Sequence, residues 1–268
     1  MELSLEFAQE VSKVAHEVGK FQMGFFRQSI AVSEKGRNDL VTEIDRLSEE
    51  KLYHNLSRID SRPEFFGEEY GSRGQKSDWQ WVVDPIDGTT NFLSGLDVFS
   101  ISIGLCFRGV PKLGVVHRPY TGDTYLACEN KGAYLNNQRL SQPAKRNLSE
   151  CLIATGFPFK SSELYQPFFE ASERVLTKAR DMRRCGSAAL DLCFLATGVF
   201  GGFWELDLNS YDIAGALPLL SELGFITVNL TGDPYVLGEG RFFLAAQESV
   251  FNEFFEAVAK PYQTFFSH

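Results

Sequence analysis

One short segment of the chain, residues 84–92 with the sequence DPIDGTTNF, carries residue types suited to metal and phosphate chemistry. Asp84 and Asp87 supply carboxylates, and oxygen ligands are those that hard cations such as Mg²⁺ prefer. A turn at Gly88 and Thr89 offers backbone N–H groups and a hydroxyl at the start of a helix, which suit a phosphate group. The segment therefore predicts a metal-dependent enzyme that acts on a phosphate compound.

The spacing of the two aspartates requires an irregular backbone. In a regular strand, residues three apart point to opposite faces of the sheet. Pro85 cannot donate to a strand ladder, so we expect a bend that lets Asp84, Asp87 and the Ile86 carbonyl converge. A surface turn that caps a helix is the alternative for an isolated D-x-x-D-G sequence. An EF-hand fails because position 12, counted from Asp84, is Gly95, and the chain has no G-x-x-x-x-G-K-[ST] phosphate loop.

Further acidic residues could join this site, although each also has a simpler interpretation. Glu68 and Glu69 follow a glycine and could face one site or form a solvated pair on a loop. Asp45 would ordinarily be an exposed helix residue. Asp212 opens an apolar helix, so N-capping is its default role. Glu205 closes a short strand and could be an edge charge.

Composition limits the class of protein. The 268 residues carry a net charge of −9, with no basic block of the kind that binds nucleic acid. The N-terminus lacks the features of a signal peptide, and no apolar run approaches the roughly 20 residues of a membrane span. The five cysteines show no C-x-x-C pair and are interpreted as reduced thiols. We therefore expect a cytoplasmic enzyme without a membrane anchor, and histidine spacing gives no zinc site.

Strands and helices must position these residues. The apolar run 79–83 predicts a strand that leads into the acidic segment, and residues 7–25 show the period of an amphipathic helix. Further predicted strands are 98–107, 113–117, 124–128, 151–155, 202–205, 225–228 and 242–245; further predicted helices begin near Thr42 and cover 161–178, 187–197, 212–223 and 250–259. Antiparallel-looking strands followed by alternating helices and strands predict a layered α/β fold. We expect two halves, residues 1–145 with the metal and phosphate motifs and residues 146–268 with substrate contacts and the last metal ligand.

The motifs together resemble one family. The segment 81–92 (WVVDPIDGTTNF) is similar to the W-x-x-D-P-[IL]-D-G-T-x-N-F signature of the inositol monophosphatase family, which comprises magnesium-dependent, lithium-sensitive phosphatases. Residues 67–69 (GEE), 39–45 (DLVTEID) and 211–215 (YDIAG) resemble its other boxes, in family order. Residues 186–192 (GSAALDL) resemble its bacterial branch. The fold implied is the αβαβα sandwich shared with fructose-1,6-bisphosphatases.

The resemblance also implies a metal site holding two to three Mg²⁺ ions. Glu68, Asp84 and the Ile86 carbonyl would hold the first ion. Asp84, Asp87 and Asp212 would hold the second, so that Asp84 bridges the two. A third, weaker ion would lie near Glu68 and Glu69.

Catalytic and substrate roles are implied in the same way. The N–H groups of Gly88 and Thr89 would bind the phosphate. Thr89, hydrogen-bonded to Asp45, would orient and deprotonate the attacking water, with Glu68 sharing that role. Glu205 and the segment Gly186, Ser187 and Ala188 would contact the alcohol part of the substrate, and Asp87 and Asp212 would also bind the substrate.

The implied reaction is hydrolysis of inositol monophosphate by a metal-activated water, without a covalent intermediate. Same-fold alternatives act on fructose 1,6-bisphosphate, NADP or adenosine 3′,5′-bisphosphate. An aspartyl-phosphate phosphatase is disfavoured because it needs D-x-D. Tyr211 stands where the family usually has Trp, a change expected to alter packing only. The loop 207–210, which borders the alcohol site, is not the commonest version, so the inositol preference stays open. The family also implies a homodimer and leaves room for an added role with RNA or the transcription machinery.

Overall fold

The computed structural model describes residues 3–28, 32–36 and 39–267. Within these residues the α-helices are α1 (Leu5–Met23), α2 (Glu43–Ile59), α3 (Thr89–Ser94), α4 (Tyr165–Leu176), α5 (Ala188–Ala196), α6 (Ser210–Ile213), α7 (Leu217–Glu222) and α8 (Glu248–Phe266). The strands are β1 (Val32–Gly36), β2 (Asp39–Thr42), β3 (Glu64–Gly67), β4 (Gly71–Arg73), β5 (Trp79–Asp87), β6 (Ser100–Phe107), β7 (Val110–Arg118), β8 (Asp123–Cys128), β9 (Gly132–Leu135), β10 (Gln138–Arg139), β11 (Leu152–Thr155), β12 (Asp181–Arg183), β13 (Phe200–Leu206), β14 (Ile226–Val228) and β15 (Phe242–Ala246).

The elements stack in five layers, which confirms the predicted αβαβα sandwich. Helices α1 and α2 pack on one face of an eight-stranded sheet, in the order β10-β9-β8-β7-β6-β5-β3-β4. Helices α5, α6 and α7 lie between that sheet and a five-stranded sheet, in the order β12-β11-β13-β15-β14. Helices α4 and α8 cover the outer face of the second sheet. Each sheet thus buries both faces, as its largely apolar strands require.

Parallel strand pairs direct the chain toward one site. In the first sheet β3 runs parallel to β5, while β5 through β10 are antiparallel neighbours. In the second sheet β11 runs parallel to both β12 and β13. Because parallel neighbours end at the same edge of a sheet, residues that follow β3 and β5 lie together, as do those that follow β11, β12 and β13.

The predicted halves correspond to a change of sheet. The first sheet ends at Arg139 and the second begins at Leu152. The predicted boundary between residues 145 and 146 falls in the connection between them. The division into two halves stays a prediction, since the middle helical layer packs against both sheets.

Several sequence predictions of elements were incomplete or wrong. The predicted helix 212–223 is two helices, α6 and α7, because the chain turns at Gly215 where it packs closely on the first sheet. The last helix continues to Phe266 through Pro261, since its apolar face extends to the fully buried Tyr262. The short strands β1 to β4, β9, β10 and β12 were not predicted, because they are brief and rich in polar or glycine residues.

No helix among the residues covered by the structure has the length and hydrophobicity needed to cross a bilayer.

Candidate active site

Strand β5 brings the two predicted aspartates to one place through a bulge. Asp84 pairs with Ser102 of β6 and Asp87 pairs with Ser100, so β5 contains one residue more than its partner at this point. The Asp84 Oδ1 atom accepts a hydrogen bond of 2.9 Å from the Ile86 N–H group. The bend predicted at Pro85 therefore exists, and it turns both carboxylates toward the same side.

Glu68 reaches this side from the neighbouring strand. Its N–H group donates to the Val83 carbonyl oxygen at 3.2 Å, which holds it beside the end of β5. The turn after Glu68 is fixed by Glu49, a fully buried residue of α2. The Glu49 carboxylate accepts hydrogen bonds from the N–H groups of Glu69 at 2.6 Å and Tyr70 at 3.0 Å. A buried carboxylate thus holds the backbone that presents Glu68.

Asp87 links the first sheet to the middle helical layer. Its carboxylate accepts a hydrogen bond of 2.5 Å from the Ser187 hydroxyl, and further bonds from the N–H groups of Ala188 at 3.3 Å and Ala189 at 2.8 Å. Ser187 is also the N-cap of α5, where its side chain accepts from the Leu190 N–H group. The first turn of α5 is therefore directed at Asp87, and the carboxylate complements the partial positive charge there.

Asp212 arrives through a close approach of the backbone. Gly104 and Gly114 are cross-strand partners on β6 and β7. A Cβ on Gly104 would lie 2.7 Å from the Ala214 Cβ, and one on Gly114 would lie 2.1 Å from the Gly215 carbonyl oxygen. These bare glycines let the α6–α7 turn lie directly on the sheet, which brings Asp212 beside Asp87. Its default local interpretation as an N-cap is wrong, because Asn209 is the N-cap and Asp212 is the third residue of α6. The Asp212 carboxylate accepts a hydrogen bond from the Asn209 N–H group at 2.6 Å.

Thr89 and Asp45 form a hydrogen-bonded pair at the start of α3. The Thr89 Oγ1 atom lies 2.9 Å from Asp45 Oδ1 and 3.0 Å from the Ile86 carbonyl oxygen, and its one hydroxyl proton can serve either. Asp45 is fully buried and also accepts from the backbone N–H group of Thr42 at 2.8 Å. Asp45 is thus not the exposed helix residue of the simpler interpretation.

The carboxylates share one electrostatic environment. Burial raises the pKa of Asp84 well above its usual range, and the charges of Glu68, Asp87 and Asp212 add to the rise. Burial raises the pKa of Asp87 to about 6, although its hydrogen bonds oppose the change. Burial, followed by the charge of Asp87, raises the pKa of Asp212 to about 7. The negative charges of these carboxylates repel one another, and a bound cation would reduce that repulsion.

A cavity of about 160 Å³ opens onto these groups. Predicted site residues that line it are Glu68, Asp84, Ile86, Asp87, Gly88, Thr89, Gly186, Ser187, Ala188, Glu205 and Asp212. Asp45 and Glu69 do not line it within the described part of the chain; Asp45 acts on it through Thr89. Lys160 and Arg184 bring positive charge to the lining, and sequence reasoning did not find them.

Gly88 needs to be glycine for two reasons. Its φ of +96° lies in the region that other residues rarely adopt. A Cβ on it would also lie 3.0 Å from the Gly186 carbonyl oxygen. Asn91, two residues after Thr89, donates to the carbonyl oxygens of Val98 at 2.6 Å and Cys185 at 2.8 Å. The turn that would receive a phosphate is therefore tied to the turn that precedes α5.

The chemistry of the donor set fits Mg²⁺. The groups that face one another are carboxylates, with the Ile86 carbonyl oxygen nearby, and all are oxygen donors. Among the described residues, no three His, Cys, Asp or Glu side chains are already gathered as a closed metal cage. Bound ions would draw these carboxylates inward, and their raised pKa values give the electrostatic reason.

Two supporting residues were missed by sequence reasoning. The buried side-chain amide of Gln22, on α1, donates to the Pro85 carbonyl oxygen at 2.7 Å and to the Ser48 hydroxyl at 3.1 Å. Glu49 holds the turn after Glu68. Gln22 is a polar residue on an otherwise apolar face of α1, and that is the signal that could have revealed it; Glu49 lies on a buried face of α2 that also contains Asp45 and Ser48.

Comparison with known proteins identifies the family. A model of the inositol monophosphatase family matches residues 3–261. The chain belongs to this family. A relative in Pasteurella multocida, named Nus factor SuhB, is 36% identical over 225 residues, which cover 84% of each chain. A relative in Aquifex aeolicus, named fructose-1,6-bisphosphatase/inositol-1-monophosphatase, is 31% identical over 258 residues, or 96% of each chain. The solved structure of a Thermotoga maritima IMPase has a TM-score of 0.88 and 29% identity, covering 97% of this chain and 100% of the other.

These similarities confirm the resemblance read from the motifs and the predicted fold. Family membership supports a phosphatase, a hydrolase of phosphate esters. The family match begins before α1 and ends within α8, so it includes all the residues that line the site.

Proposed function

We propose that the protein hydrolyses a phosphate monoester of a polyol, with inositol monophosphate as the leading substrate, in a Mg²⁺-dependent reaction. The observation that carries the proposal is the convergence of Glu68, Asp84, Asp87 and Asp212 on one cavity beside the Thr89–Asp45 pair. These carboxylates come from distant parts of the chain. Burial raises the pKa of Asp84, and the charges of Glu68, Asp87 and Asp212 add to the rise. Family membership supports the phosphatase part of the proposal.

The proposed metal ligands follow the predicted division. Glu68, Asp84 and the Ile86 carbonyl oxygen would hold one Mg²⁺, and Asp84, Asp87 and Asp212 a second. Glu69 stays a predicted ligand of a third ion, although it lies outside the cavity lining. When bound, the ions would neutralise phosphoryl oxygens and lower the pKa of a coordinated water.

Residues of the chain would perform the proton transfer. For Thr89 to accept a proton from the attacking water, it must direct its own hydroxyl proton to Asp45, 2.9 Å away. Burial raises the pKa of Asp45, which makes its carboxylate a better acceptor. Glu68, at the edge of the same cavity, would share the task of orienting the water.

Backbone and side-chain groups would orient the ester. The N–H groups of Gly88 and Thr89 would donate to the phosphate, because N–H groups at the start of a helix have no acceptor within the helix. Glu205, with the backbone at Gly186 and Ala188, would contact the hydroxyls of the alcohol, and Asp87 and Asp212 would face the ester oxygen. In-line attack needs no covalent enzyme intermediate.

Other substrates of the same chemical type remain alternatives. The Aquifex aeolicus relative carries fructose-1,6-bisphosphatase in its name, so this sugar bisphosphate is the first alternative. NADP and adenosine 3′,5′-bisphosphate complete the set. The unusual loop 207–210 borders Glu205, where an alcohol would bind.

A second role in transcription is favoured by similarity to SuhB. The relatives of Pasteurella multocida and Haemophilus influenzae, both named Nus factor SuhB, are 36% and 34% identical to this chain. We propose that the protein also contacts the transcription machinery, as a homodimer in the cytoplasm. Light scattering would measure the mass of the protein in solution and so test the homodimer. Co-purification with RNA polymerase, with and without RNase, would test the contact with the transcription machinery.

A substrate panel tests the main proposal. Phosphate release would be measured from inositol 1-phosphate, fructose 1,6-bisphosphate, NADP and adenosine 3′,5′-bisphosphate, each with Mg²⁺ or with EDTA. We expect the highest kcat/KM with inositol 1-phosphate, loss of activity in EDTA, and inhibition by Li⁺. Asp87→Asn is the negative control, because it removes a shared carboxylate. The same turnover in EDTA as in Mg²⁺, or full activity of Asp87→Asn, would contradict the metal assignment.

A further inference from the structure

A short segment, residues 156–161, forms one wall of the cavity. It follows the carboxyl end of β11, and its Phe157, Phe159 and Lys160 line the cavity. At its first residue, Gly156, an added Cβ would lie 1.8 Å from the Glu205 Oε1 atom. The wall therefore begins in direct contact with the carboxylate proposed to bind the alcohol.

The other end of the wall is held by a hydrogen-bonded cluster. Ser161 donates from its hydroxyl to Asp207 Oδ2 at 2.7 Å. Arg241 donates to both carboxylate oxygens of Asp207, with Nε to Oδ1 at 2.6 Å and Nη2 to Oδ2 at 2.8 Å. The same Nη2 atom lies 3.0 Å from the Ser161 hydroxyl and 3.1 Å from Glu163 Oε1. The bidentate geometry orients Asp207 more strictly than a single contact would.

Asp207 itself adopts an uncommon backbone conformation. Its φ of +59° lies in the left-handed region, where aspartate occurs more often than most residues. Its N–H group donates to the Arg241 carbonyl oxygen at 2.7 Å. Arg241 thus holds Asp207 by main chain and side chain together. Asp207 lies between Glu205 and Asp212 in sequence, so its position affects both.

We propose that Arg241 is a positioning residue for the reaction, fixing the 156–161 wall and the Glu205–Asp212 segment around the alcohol part of the substrate. This inference rests on the proposed function, because it assumes that Glu205 faces the alcohol. Lys160, carried by the same wall, lines the cavity together with Glu205 and Asp212. The substrate class favoured is a phosphate ester whose alcohol bears hydroxyl groups.

Steady-state kinetics of Arg241→Ala with two substrates tests the inference. Inositol 1-phosphate has a hydroxylated alcohol, whereas p-nitrophenyl phosphate lacks one, and both would be assayed at saturating Mg²⁺. We expect KM for inositol 1-phosphate to rise roughly tenfold or more, with kcat within about threefold of wild type. KM for p-nitrophenyl phosphate should stay within about twofold. An equal change for both substrates, or no change for either, would overturn the inference.

Matched variants separate positioning from folding. Ser161→Ala keeps the Arg241–Asp207 pair and should raise KM for inositol 1-phosphate less than Arg241→Ala does. In the double variant, the combined change in KM should be smaller than the sum of the two single effects, expressed as free energies. Arg108→Ala removes another arginine–aspartate pair, with Asp78, at the far end of β6, and should leave both KM values unchanged.

Trypsin cleavage after Lys160 provides a readout that does not depend on activity. Release of the wall in Arg241→Ala should accelerate this cleavage relative to wild type and to Arg108→Ala. Unchanged cleavage would overturn the inference even if wild type hydrolysed no polyol phosphate, a result that would separately refute the proposed function. Faster cleavage with an unchanged KM for inositol 1-phosphate would also overturn the positioning role.

Discussion

The carboxylate of Glu49 occupies the space beneath Gly67 that any side chain there would need. A Cβ on Gly67 would lie 2.3 Å from the Glu49 Cδ atom. The glycine therefore admits the carboxylate, and the carboxylate binds the N–H groups of Glu69 and Tyr70. Glu68, the proposed metal ligand and water-orienting residue, lies within the turn that this pair fixes.

Removal of Glu49 should disturb both stability and metal binding. Glu49→Ala leaves two N–H groups without their buried acceptor, which should lower the free energy of unfolding by about 2 kcal/mol or more. The Mg²⁺ concentration for half-maximal activity should rise, because Glu68 loses its support. The adjacent Glu50, which pairs with Arg73 near the surface, is the matched control. Glu50→Ala should cost less than about 1 kcal/mol in urea unfolding, and equal effects of the two variants would contradict the assignment.

Gln22 is expected to support the bend in β5. Gln22→Leu removes the donor to the Pro85 carbonyl oxygen and should lower the free energy of unfolding by about 1–2 kcal/mol. The loss is limited because the Gln22 Oε1 atom has no hydrogen-bond partner among the described residues, so the substitution also removes an unpaired buried oxygen. Gln28→Leu, in which an exposed glutamine loses a bond to the Gly24 carbonyl, should stay within about 0.5 kcal/mol. Mg²⁺ titration of activity should show weaker binding for Gln22→Leu alone.

Thr89 should act in the chemical step rather than in substrate binding. Thr89→Ala removes the hydroxyl that faces Asp45 and should lower kcat by between about a hundredfold and ten-thousandfold, with little change in KM. Thr89→Ser keeps the hydroxyl and should retain most activity. The exposed neighbour Thr90 lines the same cavity, so Thr90→Ala controls for general disturbance of the turn. A near-normal kcat for Thr89→Ala would exclude the proposed proton path.

His117 should make the protein sensitive to acid. Burial, with a smaller contribution from His16, lowers the pKa of His117 from 6.5 to about 4. Between these values the unfolded chain holds more protons than the folded one, so the free energy of unfolding falls as pH decreases from 6.5 toward 4. The full loss is on the order of 3 kcal/mol, at about 1.4 kcal/mol per unit.

Denaturant unfolding at pH 4.5 and pH 7 would measure this effect. His117→Gln should have a smaller difference between the two pH values than wild type. Thr124→Val removes the hydroxyl 2.8 Å from His117 Nδ1 but keeps the imidazole, so its pH dependence should resemble that of wild type. If the free energy of unfolding of His117→Gln differs between the two pH values as much as that of wild type, the acid sensitivity arises from other groups.

Local sequence patterns predicted several of the elements near the metal motifs, although the short strands β2 and β3, which lead to α2 and to Glu68, were missed. The strand before Asp84, the helix after Thr42 and the turn at Gly88 follow from apolar runs, capping residues and glycine placement. The bend at Pro85 was predicted because proline cannot continue a ladder, and the register shift between Asp84 and Asp87 is its structural form. The proposed roles of these residues stay predictions.

Long-range contacts could not be derived from local patterns. The glycine pair Gly104 and Gly114 controls how closely the α6–α7 turn approaches, yet each resembles an ordinary small residue within an apolar strand. The sequence neighbours of Asp212 indicate only a helix start, so its prediction as a metal ligand came from the family resemblance and not from the local pattern. Arg241 and Asp207 are separated by many residues, and their pairing depends on the order of β13 and β15 in the sheet.

The bonds from Ser187 and Ala189 to Asp87 have a consequence for biosynthesis. The signature segment leaves the ribosome early, but its carboxylate finds these donors only a hundred residues later, and Asp212 later still. A nascent chain that stops before α6 would carry most of the recognisable motifs and remain unable to assemble the site. Enzymatic competence should therefore emerge abruptly near the end of translation, after the second sheet has docked.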